Sequence, residues 1–208
     1  MMKKYISLWL LTFLLFGCSQ QSEVADVDNS KKTPEQQTVN SLVEFLPKNG
    51  TTYFFEGEGN EFAGYTVKTL AIDDTHIAQI EDNGGVQQLK VYRITNTSID
   101  LISKQVIDKT AVIPSASKVK SYKKIETLLQ LPLKAGHSFE GWNTISISEK
   151  MNLGWGPLDQ IIVIEKVDNT LLTRKYFAKG YGLIKSEYII ENEGEDPFIV
   201  TSTLKSLN

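Results

Sequence analysis

Three glutamates are the best candidates in this chain for acid–base chemistry. Glu140, Glu165 and Glu187 lie in or beside segments rich in β-forming residues. Glycoside hydrolysis needs two carboxylates about 5–10 Å apart, one to donate a proton and one to attack or to activate water. Glu140 with Glu165 or Glu187 is therefore the pair to test for a hydrolase acting on cell-wall material. The two histidines offer less. His76 follows Asp73-Asp74-Thr75, and His137 precedes an aromatic strand. A zinc site needs three or four His, Cys or carboxylate ligands, and no such set is spaced along the sequence, so no metal and no cofactor are expected. Ser115 and Lys118 form a Ser-x-x-Lys without the Ser-Asp-Asn and Lys-Thr-Gly elements that accompany it in penicillin-binding enzymes, and the segment reads as a loop. No catalytic residue is assigned.

Gly57-Glu58-Gly59, Gly154-Trp155-Gly156 and Gly180-Tyr181-Gly182 are G-x-G fragments. None opens a helix after a strand, as phosphate binding would require, so they read as turns or bulges. The acidic run from Glu191 to Asp196 lacks the ligand spacing of a calcium loop and reads as a solvated hairpin tip. Aromatic residues at turns are the better binding candidates. Trp142, Trp155 and Tyr181 are the three to follow, because rings at loop tips stack on sugars or dock partners. Packing onto the sheet is the competing role for each, and the favoured one for Trp155.

The single cysteine, Cys18, ends the longest apolar run. Lys3 and Lys4 give a positive start, Tyr5 to Phe16 supply twelve mostly apolar residues, and Gly17 is small. That order is an export signal, and twelve residues fall short of the roughly 20 that span a membrane. Leu15-Phe16-Gly17-Cys18 resembles the lipobox of bacterial lipoproteins, with Phe16 the unusual position. The resemblance implies that residues 1–17 are a cleaved signal peptide and that Cys18 carries a diacylglyceryl group, palmitate or a similar acyl chain. Two chains hold a protein on a membrane where one gives only marginal binding. The expected location is the extracytoplasmic face of the cell membrane. With one cysteine, no disulfide framework is possible.

Residues 18–40 comprise Cys18 and a run rich in Gln, Ser, Asp and Lys with no aromatic residue. Such a composition reads as a flexible linker, reaching on the order of 25 Å. Two of the 22 basic residues lie in the signal, against 25 acidic ones, so cleavage takes the net charge from −3 to −5. An acidic chain with only two arginines, Arg93 and Arg174, is a poor partner for nucleic acid, whose phosphates demand basic patches.

Residues 41–208 form the expected folded domain. Short β-rich runs separated by turn signals place strands at 51–56, 62–72, 76–81, 88–94, 98–103, 138–148, 160–167, 171–178, 183–190 and 198–204. Asp82-Asn83-Gly84-Gly85 and Val167-Asp168-Asn169-Thr170 read as hairpin turns. A short helix is expected over 118–129. LPKNGTTYF (46–54) and LPLKAGHSF (131–139) share an order of cues, as do LKVYRIT (89–95) and TRKYFAK (173–179). The matched spacing suggests a pseudo-repeat, 41–110 and 126–208. The fold class expected is mainly β, with antiparallel sheets from two similar halves forming a sandwich or an open barrel.

The stretch from Tyr176 to Glu187, an aromatic strand leading through a glycine turn to Gly-Leu-Ile-Lys, resembles a recurrent ending in secreted and lipid-anchored bacterial proteins. Leu131 to Gly136 resembles the start of the same unit. The loop 149–158 departs from that pattern. The resemblance implies a β-rich extracytoplasmic lipoprotein and adds no catalytic residue. The expectation for function is a non-enzymatic binding or accessory module at the cell envelope, held to the membrane through Cys18, with an unidentified protein or envelope ligand as partner. A carboxylate-dependent hydrolase and a purely structural envelope protein are the alternatives.

Overall fold

The computed structural model describes residues 41–108, 112–191, 194 and 196–208. The signal segment 1–17, Cys18, the linker 18–40 and three residues of the acidic run (Asn192, Glu193 and Glu195) lie outside the described residues.

A short 3-10 helix, Leu42–Phe45, leads into twelve strands: β1 Thr52–Glu58, β2 Tyr65–Asp73, β3 His76–Asp82, β4 Gln87–Ile94, β5 Ser98–Ile107, β6 Glu126–Gln130, β7 Ser138–Phe139, β8 Trp142–Leu153, β9 Gly156–Asp168, β10 Leu171–Ala178, β11 Gly182–Ile190 and β12 Phe198–Leu207. All are in one antiparallel sheet, ordered β6-β5-β4-β3-β2-β1-β12-β11-β10-β9-β8-β7. The chain starts mid-sheet, runs outward to one edge, reappears at the other and returns to pair β12 with β1. The two edges, β6 and β7, are neighbours in the chain, so the sheet curls into a nearly closed barrel with one seam. Of the two expected architectures, the open barrel is the one formed. The two Leu-Pro segments lead into β1 and β7, while LKVYRIT and TRKYFAK supply β4 and β10.

Closure sorts the side chains. Residues paired across an antiparallel ladder share a face, so the register traces the inner wall from Phe55↔Tyr65 through Val67↔Glu81, Ile77↔Tyr92 and Tyr92↔Leu101. On the other side it runs Trp142↔Lys166, Ile164↔Lys175 and Lys175↔Ser186. In a meander the turns alternate between two ends. At one end the barrel is stopped by Leu42 and Phe45, packed with Ile77, Ile99, Leu129, Leu133, Phe139 and Phe177. Gly180 N–H donates to the Glu44 carbonyl (2.6 Å) and Lys179 pairs with Glu44, fastening this plug to the β10–β11 turn. The opposite end, with the β1–β2, β3–β4, β9–β10 and β11–β12 connections, is the mouth.

Some strands are buried on both faces and read as unbroken apolar runs, as expected where a sheet is covered twice. Ile162 and Ile164 of β9 face the plug cluster, whereas Ile161 and Val163 join Leu153, Ala178 and Ile184 in a second cluster. Outside β3–β5, Val119, Tyr122 and Ile113 cover Ala78, Leu89, Val91 and Ile102. The helix expected over 118–129 is not formed. One turn of helix, α1 Ala116–Val119, is followed by strand β6. The segment has both periods. Burial of Thr127 and Leu129 against β5 rewards the two-residue one, because the ladder also satisfies the backbone.

Candidate ligand chamber inside the barrel

Between the plug and the mouth the inner wall changes from aliphatic to polar. A cavity of about 280 Å³ opens there, lined from five strands by Tyr65, Glu81, Lys90, Tyr92, Lys175, Ser186 and Tyr188. Ligand pockets run from about 300 to 1,000 Å³, so the space suits a headgroup-sized molecule rather than a polymer. Its roof is the β1–β2 loop. Ser202 donates to the Ala63 carbonyl at 2.7 Å, and Phe62 of this loop reaches across toward Gly85 in the β3–β4 turn. The approach is tight. A Cβ on Gly57 would lie 2.1 Å from the Gly64 nitrogen, and one on Gly59, whose φ is +83°, 2.1 Å from the Ile199 carbonyl. The Gly-x-Gly at 57–59 thus lets the loop fold over the mouth.

The chamber's charges follow from register. Lys90, Lys104, Lys166 and Lys175 share the inner face with Glu81 and Glu126. Lys90 pairs with Glu81 at 2.5 Å. Lys175 instead stands 4.6 Å from the centre of the Trp142 ring, with Lys166 6.0 Å from the same ring. Burial pushes the Lys175 ammonium pKa below its ordinary value; Glu126 pulls it up, while Lys90, Lys104 and Lys166 press it further down. Burial likewise raises the phenols of Tyr65, Tyr92 and Tyr188, each further raised by the Glu81 carboxylate. These phenols therefore stay protonated at neutral pH and present O–H donors. The inner wall combines ammonium and hydroxyl donors around a space that solvent reaches.

The aromatic candidates separate. Trp142, 5% exposed, belongs to the plug cluster and holds the Lys175 ammonium against its ring. Trp155, 38% exposed, sits at the β8–β9 tip with its ring 5.2 Å from that of Tyr181 in the β10–β11 turn. That pair is at the plug end, away from the mouth.

The candidate carboxylates do not converge in a cleft. Glu165 and Glu187 lie on the outer face of the barrel, both bound to Arg174, at 2.6 and 3.3 Å. Burial raises the pKa of Glu187, but hydrogen bonds from Lys185 and Tyr176 outweigh it and the net shift is downward, which suits an anion and not a proton donor. Glu140 lies in the β7–β8 turn and faces the seam, where it meets Lys124 and accepts the Thr127 N–H at 2.8 Å. His76 is 4% exposed, with Nδ1 2.9 Å from Asp73 Oδ1. His137 lies just ahead of β7, its ring 6.2 Å from that of Phe139. Ser115 stands at the start of α1 with its Oγ 3.0 Å from Ser117 Oγ. No group of three or more His, Cys, Asp or Glu side chains suited to a metal ion occurs among the described residues. No described helix is long and apolar enough to cross a membrane.

Sequence reading missed the chamber because its residues are ordinary members of alternating strands. Lys175 was the available signal: it falls at the inward position between Thr173 and Phe177, where an apolar residue is the rule.

No family model matches the sequence, and no curated protein matches it significantly. Two solved structures are similar in fold. One is a candidate lipoprotein from Parabacteroides distasonis, 11% identical, with TM-score 0.48, covering 79% of this chain and 98% of that one. The other is a candidate exported protein with YmcC-like fold from Bacteroides fragilis, 10% identical, with TM-score 0.47 and the same coverage.

Proposed function

We propose that this protein is an extracytoplasmic lipoprotein, anchored through a diacylglyceryl group on Cys18, that works as a non-enzymatic binding module and holds a small ligand inside its barrel. The chamber is the observation that carries the reading. It is walled by ammonium and hydroxyl donors together with the Glu81 carboxylate and closed below by an apolar plug. The lipobox residues 15–18 and the net charge of −3 support placement at the envelope and disfavour nucleic acid. Glu165 and Glu187 are paired with Arg174 and Glu140 with the seam, which supports binding in the chamber over hydrolysis by these three carboxylates.

The test is thermal unfolding of the full chain, in neutral nanodiscs, against peptidoglycan fragments, teichoic-acid polymers, lipids, peptides and divalent metals. A ligand at 100 times its dissociation constant adds about 2.7 kcal/mol, which for a domain of this size raises the midpoint by roughly 5–10 °C. One small-molecule class producing that shift is the expected result. A flat panel, with crosslinking on intact cells capturing only another protein, would contradict the reading. For the anchor, Cys18→Ala is expected to accumulate as unprocessed precursor. A variant still cut and still firmly membrane-bound would overturn the lipobox assignment.

A further inference from the structure

We propose that the ligand is an anionic amphiphile, with a carboxylate or phosphate head seated between Lys175 and Lys90 and an apolar chain leaving along the mouth. This rests on the chamber being the binding site, as argued above. The first observation is charge. Four lysines share the inner face with Glu81, Glu126 and, at its rim, Asp168, a small excess of cation inside a chain whose net charge is −3. A cation withdrawn from water needs a compensating partner. Lys90 has Glu81, but among the described residues the partner of Lys175 is the Trp142 ring. A cation over an aromatic face is held without using up its hydrogen bonds. The ammonium thus stays free to donate to an incoming anion, beside the phenols of Tyr65, Tyr92 and Tyr188.

The second observation is independent of charge. Tyr188, Ile190 and Phe198 are exposed and adjacent on the inner face of β11 and β12 at the mouth, and Val106 is exposed on the inner face of β5. Phe62 and Val86 stand exposed in the loops beside them. Single exposed apolar residues are common on any protein, whereas a cluster marks a contact surface. A hydrophilic anion would account for the lysines and leave this rim unexplained. An apolar ligand would account for the rim and leave the lysines uncompensated. An amphiphile with an acidic head satisfies both, head inward.

The experiment uses the full chain in phosphatidylcholine nanodiscs. Dihexanoylphosphatidate, octanoate, dihexanoylphosphatidylcholine and inorganic phosphate are titrated by calorimetry. Trp142, labelled with 5-fluorotryptophan, reports occupancy of the chamber through its fluorine signal. Phosphatidate or octanoate should bind and shift that signal, the first alone indicating a phosphate head and the second alone a carboxylate. The neutral lipid and free phosphate should bind at least tenfold more weakly. Lys175→Met should lower affinity about tenfold or more, Lys175→Arg should restore most of it, and Lys185→Met on the outer face should leave it unchanged. If Lys175→Met does not fold, Lys90→Met, which removes the other lysine of the seat, serves in its place with the same expectation. Neutral lipid binding as tightly as phosphatidate, with no loss in either lysine variant, would overturn the anionic head while leaving the chamber reading intact. Free phosphate binding as tightly as phosphatidate would overturn the amphiphile. Silence from all four probes would overturn the inference as a whole, and the wider ligand panel then decides the chamber reading by itself.

Discussion

Removing the Glu140 side chain should loosen the barrel at its seam. β6 and β7 are the two sheet edges, so the backbone donors of β6 that face the seam lack a strand partner. Glu140 supplies one acceptor. It sits at φ +45°, followed by Gly141 at +83°, in the tight turn between β7 and β8, and that turn aims its carboxylate at the Thr127 N–H 2.8 Å away. Thr127 is buried, and its hydroxyl in turn donates to Asp100 at 3.1 Å. Glu140→Ala leaves a buried N–H without an acceptor, which costs about 1–3 kcal/mol. The exposed ion pair with Lys124 adds little, and alanine inherits the same left-handed backbone, so no strain is relieved. The melting midpoint should fall by roughly 2–12 °C. Exchange of the Thr127 amide should accelerate about 5- to 150-fold, since each 1.4 kcal/mol is tenfold. Glu140→Gln keeps an acceptor and should lose less. The hydrogen bond from Lys124 is the main cause holding the Glu140 carboxyl below its usual range. A depressed folded pKa contributes stability above the unfolded value, near 4.3, and loses it as pH falls through the lower folded value. Glu140→Gln should therefore flatten the stability slope below about pH 4. Unchanged Thr127 exchange and an unchanged midpoint in Glu140→Ala would refute the seam argument.

Other consequences can be checked by similar means. Phe45, 1% exposed in the plug, should cost about 3–5 kcal/mol as Phe45→Ala in urea unfolding, whereas Val43→Ala, at a site 59% exposed, should stay within about 0.5 kcal/mol. Equal effects would mean that the 3-10 helix is not seated. Asp73 is held at a pKa of about 2, chiefly by its hydrogen bond to His76. Its contribution should be complete above about pH 4 and disappear as pH falls toward 2, so Asp73→Asn should remove that part of the acid transition, and an unaltered profile would count against the pair. Trp142→Ala should destabilise by about 3–5 kcal/mol, as for a buried aromatic. Trp155→Ala, which gives up a half-exposed contact with Tyr181, should cost on the order of 1 kcal/mol. Reversal of that order would place the core elsewhere.

Much of the fold could be read before the structure, and the limits have physical causes. Alternation along Tyr65–Ala71 and the glycine turn at 82–85 located β2 and the β3–β4 hairpin. β6 was hidden because Thr127 and Leu129 sit in a segment that also carries Val119, Tyr122 and Ile125 at helical spacing. The β8–β9 tip was read as a loop because Gly154, Gly156 and Pro157 are turn signals, yet the strands extend to Leu153 and from Gly156. At the seam a glutamate reaches a backbone amide from another turn, which local pattern does not encode. The same holds for the chamber. Lys90 and Lys175 lie 85 positions apart in sequence and share a wall only because the seven strands from β4 round to β10 fall into one register. Trp142, by contrast, drew notice as a turn aromatic and proved to be the buried support of Lys175.

The most direct test of the chamber is photocrosslinking in living cells. A benzophenone amino acid placed at Tyr188, on the inner wall at the mouth, is compared with one at Lys185, three residues away on the outer face. The account predicts that the inward probe captures a small molecule, seen by mass spectrometry as a discrete mass increase on the intact chain, and that the outward probe does not. A small-molecule adduct at Lys185 alone, or polypeptide adducts at both positions with none of low mass, would contradict it.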